Sequence, residues 1–166
     1  MKKALIGIMV VTLIGIFGAT HALAANEGTI SVTVTIASVL EISVSPASWA
    51  PSVGSNSTVD TLLDSPGPSV TNNSNTSIDL TVNVDDTGSS WTFADNPSGS
   101  DTFAMDIDTD GGSSWNEITV AGYTFLSSVA AYSPPVEFDL LFYSPPTAIA
   151  GASATFNVTI TATETP

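Results

Sequence analysis

Residues 78–84 read Ile78-Asp79-Leu80-Thr81-Val82-Asn83-Val84. Four aliphatic side chains alternate with three polar ones. Successive side chains of an extended chain point to opposite faces, so this spacing gathers every aliphatic group on one face and Asp, Thr and Asn on the other. Three of the four aliphatics are β-branched, which suits a pleated, half-buried surface. The stretch predicts a strand with one face on a core and one face in water, the usual condition of an antiparallel sheet.

The same period recurs to either side. Ile30, Val32, Val34 and Ile36 alternate with Ser31, Thr33 and Thr35, which predicts a first strand over Gly28 to Ala37. Leu40, Ile42 and Val44 follow, and further on Phe103, Met105 and Ile107, then Ile118 and Val120. Val136, Phe138, Leu140 and Phe142 form one more run, and Phe156, Val158 and Ile160 the last. The runs are short and separated by turn-forming clusters: Ser65-Pro66-Gly67-Pro68, Asn72-Asn73-Ser74-Asn75, Asn96-Pro97-Ser98-Gly99 and Asp110-Gly111-Gly112. A helical period is absent, apart from a single turn expected near Ser127 to Ala131. The expectation is an all-β fold, an antiparallel sandwich of about seven to nine strands in one domain. Trp91, in the strand-like Trp91-Thr92-Phe93, is expected to pack on the core, whereas an exposed Trp49 or Trp115 would offer a surface for stacking sugars.

The N-terminus reads differently. Lys2 and Lys3 precede an apolar run from Ala4 to about Gly18, and Ala22-Leu23-Ala24 places small residues where signal peptidase cuts. A retained membrane anchor is the alternative, but the run is short for a span. The expected organisation is a signal peptide over 1–24 and a single β domain over 25–166, secreted, at the cell surface or in a periplasm. No later apolar segment or basic tail marks a second anchor.

Removing residues 1–24 changes the chemistry. The whole chain has a formal charge of −14, but both basic residues and its one histidine, His21, precede Ala25, and all 16 acids follow it. Residues 25–166 thus contain no lysine, arginine, histidine or cysteine. Nucleic acid and anionic lipid are excluded as partners, because both need cations. No disulfide framework is available, so stability must come from packing. Serine or cysteine nucleophiles lack a histidine base, zinc lacks nitrogen and sulfur ligands, and phosphate lacks a cationic clamp. A carboxylate pair for glycoside hydrolysis is the one catalytic device left, and solvated surface charge accounts for the acids more simply. No enzyme is expected.

The motif Asp106-Ile107-Asp108-Thr109-Asp110-Gly111-Gly112-Ser113-Ser114-Trp115-Asn116-Glu117 fits three readings. It matches the calcium-loop pattern D-x-D-x-D-G-x5-E. Asp106, Asp108 and Asp110 would give carboxylate oxygens, Gly112 its carbonyl, and Glu117 both oxygens. Calcium suits the composition, because it asks for hard oxygen ligands and needs neither histidine nor cysteine. The flanks, however, read as strands rather than as the helices of an EF-hand, and Ser113 stands where an aliphatic residue is usual. Asp110-Gly111-Gly112-Ser113-Ser114-Trp115 also resembles the Asp-box, a structural hairpin turn whose aspartate binds turn amides above a packed tryptophan. Asp108 replaces the usual serine there, and Ser114 the threonine. In the third reading Asp106 and Asp108 simply line a solvated strand edge.

A wider resemblance runs through Ser43-Val44-Ser45-Pro46-Ala47-Ser48-Trp49, Val70-Thr71-Asn72-Asn73-Ser74-Asn75, Ile78-Asp79-Leu80-Thr81-Val82 and the closing Ala154-Thr155-Phe156-Asn157-Val158-Thr159-Ile160-Thr161-Ala162-Thr163. These segments resemble exported immunoglobulin-like domains of bacterial and archaeal surfaces, with Ser74 where glycine is usual. The resemblance implies an immunoglobulin-like sandwich and a surface address. The expected function is a structural or adhesive surface protein whose N-terminal strand either pairs within its own sheet or, in the sharper version, adds to a neighbour's, the partner then being a second copy or another surface protein or glycan. The alternative is a calcium-dependent carbohydrate- or protein-binding module. Of four glycosylation sequons, Asn56, Asn72 and Asn75 in loops are expected to be better acceptors than Asn157 in a strand.

Overall fold

A computed structural model describes residues 32–64 and 66–166. The signal-peptide segment 1–24 and the start of the predicted first strand, residues 28–31, lie outside the described residues, as does Ser65. The chain divides into two units, Met1–Ile36 and Ala37–Pro166. Of the first, only residues 32–36 are described, and neither they nor Ala37 are in a strand, against the strand expected over Gly28 to Ala37.

The second unit is all-β, with eleven strands and no helix among the described residues. β1 (Ile42–Ser45), β3 (Ser69–Asn72) and β9 (Val136–Glu137) form one sheet in the order β1-β3-β9. β2 (Thr58–Asp60), β10 (Asp139–Tyr143), β6 (Thr102–Asp108) and β5 (Thr92–Phe93) form a second in the order β2-β10-β6-β5, with β7 (Asn116–Glu117) also on β6. β11 (Asn157–Glu164), β4 (Ile78–Asp85) and β8 (Tyr123–Val129) form the third in the order β11-β4-β8. All pairings are antiparallel except β5 with β6.

The decisive stretch behaves as its period requires. Along β4, Ile78, Leu80, Val82 and Val84 are buried while Asp79, Thr81, Asn83 and Asp85 are half-buried or exposed. The buried row joins Phe103, Met105 and Ile107 of β6 and Leu140 and Phe142 of β10 in one core. Aromatic contacts tie the elements together: Phe103 stacks on Phe156 with ring centroids 4.3 Å apart, and Phe125 meets Phe138 at 5.6 Å. Of these, Phe103 and Phe138 are buried, and a fully buried side chain of this kind contributes about 1.5–3 kcal/mol, while Phe125 and Phe156 are half-buried. Trp91 is half-buried and packed on this core, its ring stacked on Phe142 at 6.3 Å.

Three further expectations need correction. There are eleven strands rather than seven to nine. The run Val136 to Phe142 accounts for one of the additional strands, because it serves two sheets: β9 pairs with β3, Phe138 turns into the core with its amide donating to Pro68, and β10 pairs with β6 and β2. The helical turn near Ser127 is instead the end of strand β8, whose register shifts twice against β4 and whose Ser128 has φ 55°. The bulged pairing disrupts the alternation that would have marked it. The strand expected at Ile118 and Val120 lies two residues earlier, as β7. Ile118 is fully buried, but Val120 sits exposed in the turn that precedes β8.

The connection between β3 and β4 is built by side chains. Asn72 is fully buried. Its Nδ2 lies 2.9–3.1 Å from the carbonyls of Thr76, Val129 and Ala130, and its Oδ1 accepts the Ser74 amide at 2.8 Å. Ser74, in the place of the usual glycine, ties the turn to the chain entering β1: its Oγ accepts from the Glu41 amide and donates to the Glu41 carbonyl. Burial and full hydrogen bonding make Asn72 a poor acceptor for glycan in the folded chain, against the expectation for a loop sequon.

Candidate functional site

Residues 106–117 form a hairpin. β6 runs to Asp108 and β7 returns antiparallel to it, with Asp106 opposite Glu117 and Ile107 opposite Asn116. Between them the chain turns through Gly111 (φ 75°) and Gly112 (φ 84°), a left-handed conformation that glycine adopts without steric cost. Gly112 also approaches another loop closely: a Cβ added there would lie 2.8 Å from Leu62 Cδ1.

Asp108 holds this turn from inside. It is 2% exposed, so it is not part of a solvated edge. Its Oδ1 accepts the Asp110 amide at 3.0 Å and its Oδ2 accepts the Gly112 amide. Burial opposes its charge, but the Asp110 side chain and the amides of Asp110, Gly112 and Thr109 outweigh that and hold its carboxyl below the usual value. Asp110 caps the outer part of the turn, its Oδ1 accepting the Ser113 and Ser114 amides at 2.9 and 3.0 Å. Asp106 Oδ2 accepts the Tyr143 hydroxyl at 2.7 Å. Burial first, then this hydrogen bond and the charges of Asp106 and Glu117, push the Tyr143 phenol up to about 12.

The five residues of the calcium pattern are thus distributed over one hairpin with separate partners. Asp106 and Glu117 face each other across a strand pair, Asp108 points into the turn, and Asp110 covers its outer amides. Gly112 engages its amide with Asp108. Among the described residues, no group of three or more acidic or histidine side chains is arranged to hold an ion. Amide capping by aspartate is what the structural-hairpin reading expects. Trp115 is half-buried and stands outside the main core.

A second feature escaped the sequence. An apolar groove of about 760 Å³ opens along β11. Half-buried Val158, Ile160 and Trp49 line it together with the buried Met105, Leu140 and Phe142. None of its lining residues is charged, in a unit where acids are otherwise frequent. Trp49 and Trp91 both line it while packing on the core. Strands distant in sequence supply these residues, so no local motif announces them.

Comparison of the chain with protein-family models, with curated proteins and with solved structures finds no match.

Proposed function

We propose that the chain is an exported structural protein of the cell surface, an immunoglobulin-like β-sandwich that assembles with copies of itself through its N-terminal strand. The sandwich reading is supported by the inward rows of β4 on one side and of β6 and β10 on the other, which share one core. The structural role is supported by what residues 25–166 lack: no basic, imidazole or thiol group is present for the common forms of catalysis.

One observation carries the self-assembly. Val32, Val34 and Ile36 alternate as a strand should, yet they are 75%, 78% and 81% exposed and belong to no sheet. An alternating apolar segment left in water is a strand without a partner, and adding it to a neighbour's sheet satisfies both its backbone and its side chains.

Cell fractionation together with electron microscopy tests the proposal. The full chain should be recovered outside the cytoplasm and should form filaments, and deletion of residues 25–37 should leave monomers. A full-length chain that stays monomeric at high concentration overturns self-assembly, and a cytoplasmic location overturns export.

A further inference from the structure

Resting on that reading, we infer where the strand goes: residues 28–36 of one copy add to the free edge of β11 in a second copy, seating Val32, Val34 and Ile36 against the half-buried Val158 and Ile160 in the groove along that edge.

Three independent features of the acceptor fit this donor. The first is the edge. β11 pairs with β4 over all eight of its residues, and among the described residues nothing pairs with its other side. Such an edge presents a row of backbone donors and acceptors ready for another strand. Its length of about 26 Å is comparable to the roughly 30 Å of a nine-residue donor, at about 3.3 Å per residue.

The second is the inner face. Val158, Ile160 and Ala162 alternate toward the core yet are only half-buried, whereas the corresponding row of β4 is buried. A strand laid beside β11 would bring its own alternate side chains over the same groove, because cross-strand neighbours share a face. The donor's valines and isoleucine then cover the exposed parts of Val158 and Ile160, while Thr33 and Thr35 face water.

The third is charge. With 16 acids and no base after residue 24, two copies repel each other. The groove lining is uncharged, and so is every residue from Gly28 to Ala37. The contact therefore joins two neutral surfaces of a strongly acidic protein.

The donor segment joins its own body at residues 37–39. Asn75 fixes the chain at Ala37 and Val39, its Nδ2 donating to the Ala37 carbonyl and its Oδ1 accepting the Val39 amide, and Ser38 Oγ donates to Glu164 Oε1 at the last residue of β11. Each molecule thus carries a donor and an acceptor as different surfaces. Such a heterologous contact repeats without closing unless the rotation happens to form a ring.

The chain contains no cysteine, so single cysteines report the contact cleanly. Two full-length variants, Val34→Cys and Ile160→Cys, one carrying a mass tag, are mixed and oxidised. A heterodimer should form, and it should be lost when Thr35→Cys, on the opposite face of the donor, replaces Val34→Cys. Full-length Ile160→Asp and Val158→Asp, checked for cooperative unfolding, should lose filament formation. Filaments that persist in folded Ile160→Asp and Val158→Asp, or a mixture that gives no Val34–Ile160 heterodimer although the wild type polymerises, overturn this assignment and leave self-assembly standing. A double variant Val34→Cys/Ile160→Cys that crosslinks only within monomers also overturns it. A wild type that never polymerises fails the underlying reading and this one together.

Discussion

The Tyr143 hydroxyl donates a 2.7 Å hydrogen bond to Asp106 Oδ2 across the β6–β10 pair, where Asp106 stands opposite Leu141. The contact joins a phenol to a carboxylate that itself faces Glu117. Burial above all, then the hydrogen bond to Asp106 and the two negative charges beside the hydroxyl, make loss of its proton costly. The phenol is pushed up to about 12, against about 10 for an unfolded tyrosine. A folded pKa above the unfolded one means that the native state holds the proton more tightly. The resulting stabilisation is complete below about pH 10 and is lost as pH rises from about 10 to about 12. Ultraviolet titration should show one phenolate appearing near pH 12, and Tyr143→Phe should abolish it. The same variant should cost about 1 kcal/mol at neutral pH, because Asp106 loses its neutral donor. A phenol titrating at the ordinary value would show that the Tyr143–Asp106 contact does not persist in solution.

Asp108 separates the two main readings of the acidic hairpin. Its oxygens accept the amides of Asp110 and Gly112. Asp108→Ala should therefore destabilise the metal-free protein by about 1–3 kcal/mol, through two amides deprived of their acceptor. The loss should be the same in calcium and in chelator. Because the folded carboxyl titrates below its ordinary value of 3.8, its contribution is present above about pH 4 and disappears as pH falls through the lower folded value. Isothermal titration of the wild type with millimolar calcium should give no heat. A calcium-dependent rise in melting temperature that Asp108→Ala removes would instead establish the metal loop.

Legibility from the sequence followed distance along the chain. At Ile78 to Val84 the alternation is local and unbroken, and β4 appears where it predicts. At Tyr123 to Val129 the bulged pairing of β8 puts Phe125 and Leu126 in succession, and the period is lost. The acidic motif was visible, but its two main templates ask for the same aspartates. Burial of Asp108 and the direction of its oxygens distinguish them, and neither is a property of spacing. The groove was hidden for a different reason. Met105, Leu140 and Ile160 are each ordinary inward residues of a strand, and only the sheet order brings them to one groove.

Asn72 is a sharper case of the same limit. Within Asn72-Asn73-Ser74-Asn75 it reads as turn chemistry, yet two of its partners, the carbonyls of Val129 and Ala130, are 57 and 58 residues away. It links the β3–β4 turn to the end of β8. Asn72→Ala would leave buried carbonyls and the Ser74 amide without partners, each worth about 1–3 kcal/mol. The expected loss exceeds about 3 kcal/mol, large for a single substitution. Asn72→Asp should be no milder, because it removes the donor and adds a charge where none can be solvated. Denaturant unfolding of both variants measures the cost. A loss below about 1 kcal/mol would mean that water replaces these bonds and that the turn is open.

Export can be read from a protease that has nothing to cut. Trypsin cleaves after lysine or arginine, and the only such residues are Lys2 and Lys3. If the leader is removed after Ala24, protein recovered from the medium should begin at Ala25 and give one intact mass. It should survive trypsin even after heat unfolding, when folding no longer protects it. Chymotrypsin should digest the same unfolded sample, since Phe, Tyr and Trp occur throughout residues 49–156, and that rules out general protease resistance. Retention of Lys2 and Lys3 would leave a tryptic site at the N-terminus and shift the mass measurably after digestion. That shift would place the boundary wrongly, and with it the claim that the working protein carries no cation beyond its terminal amine.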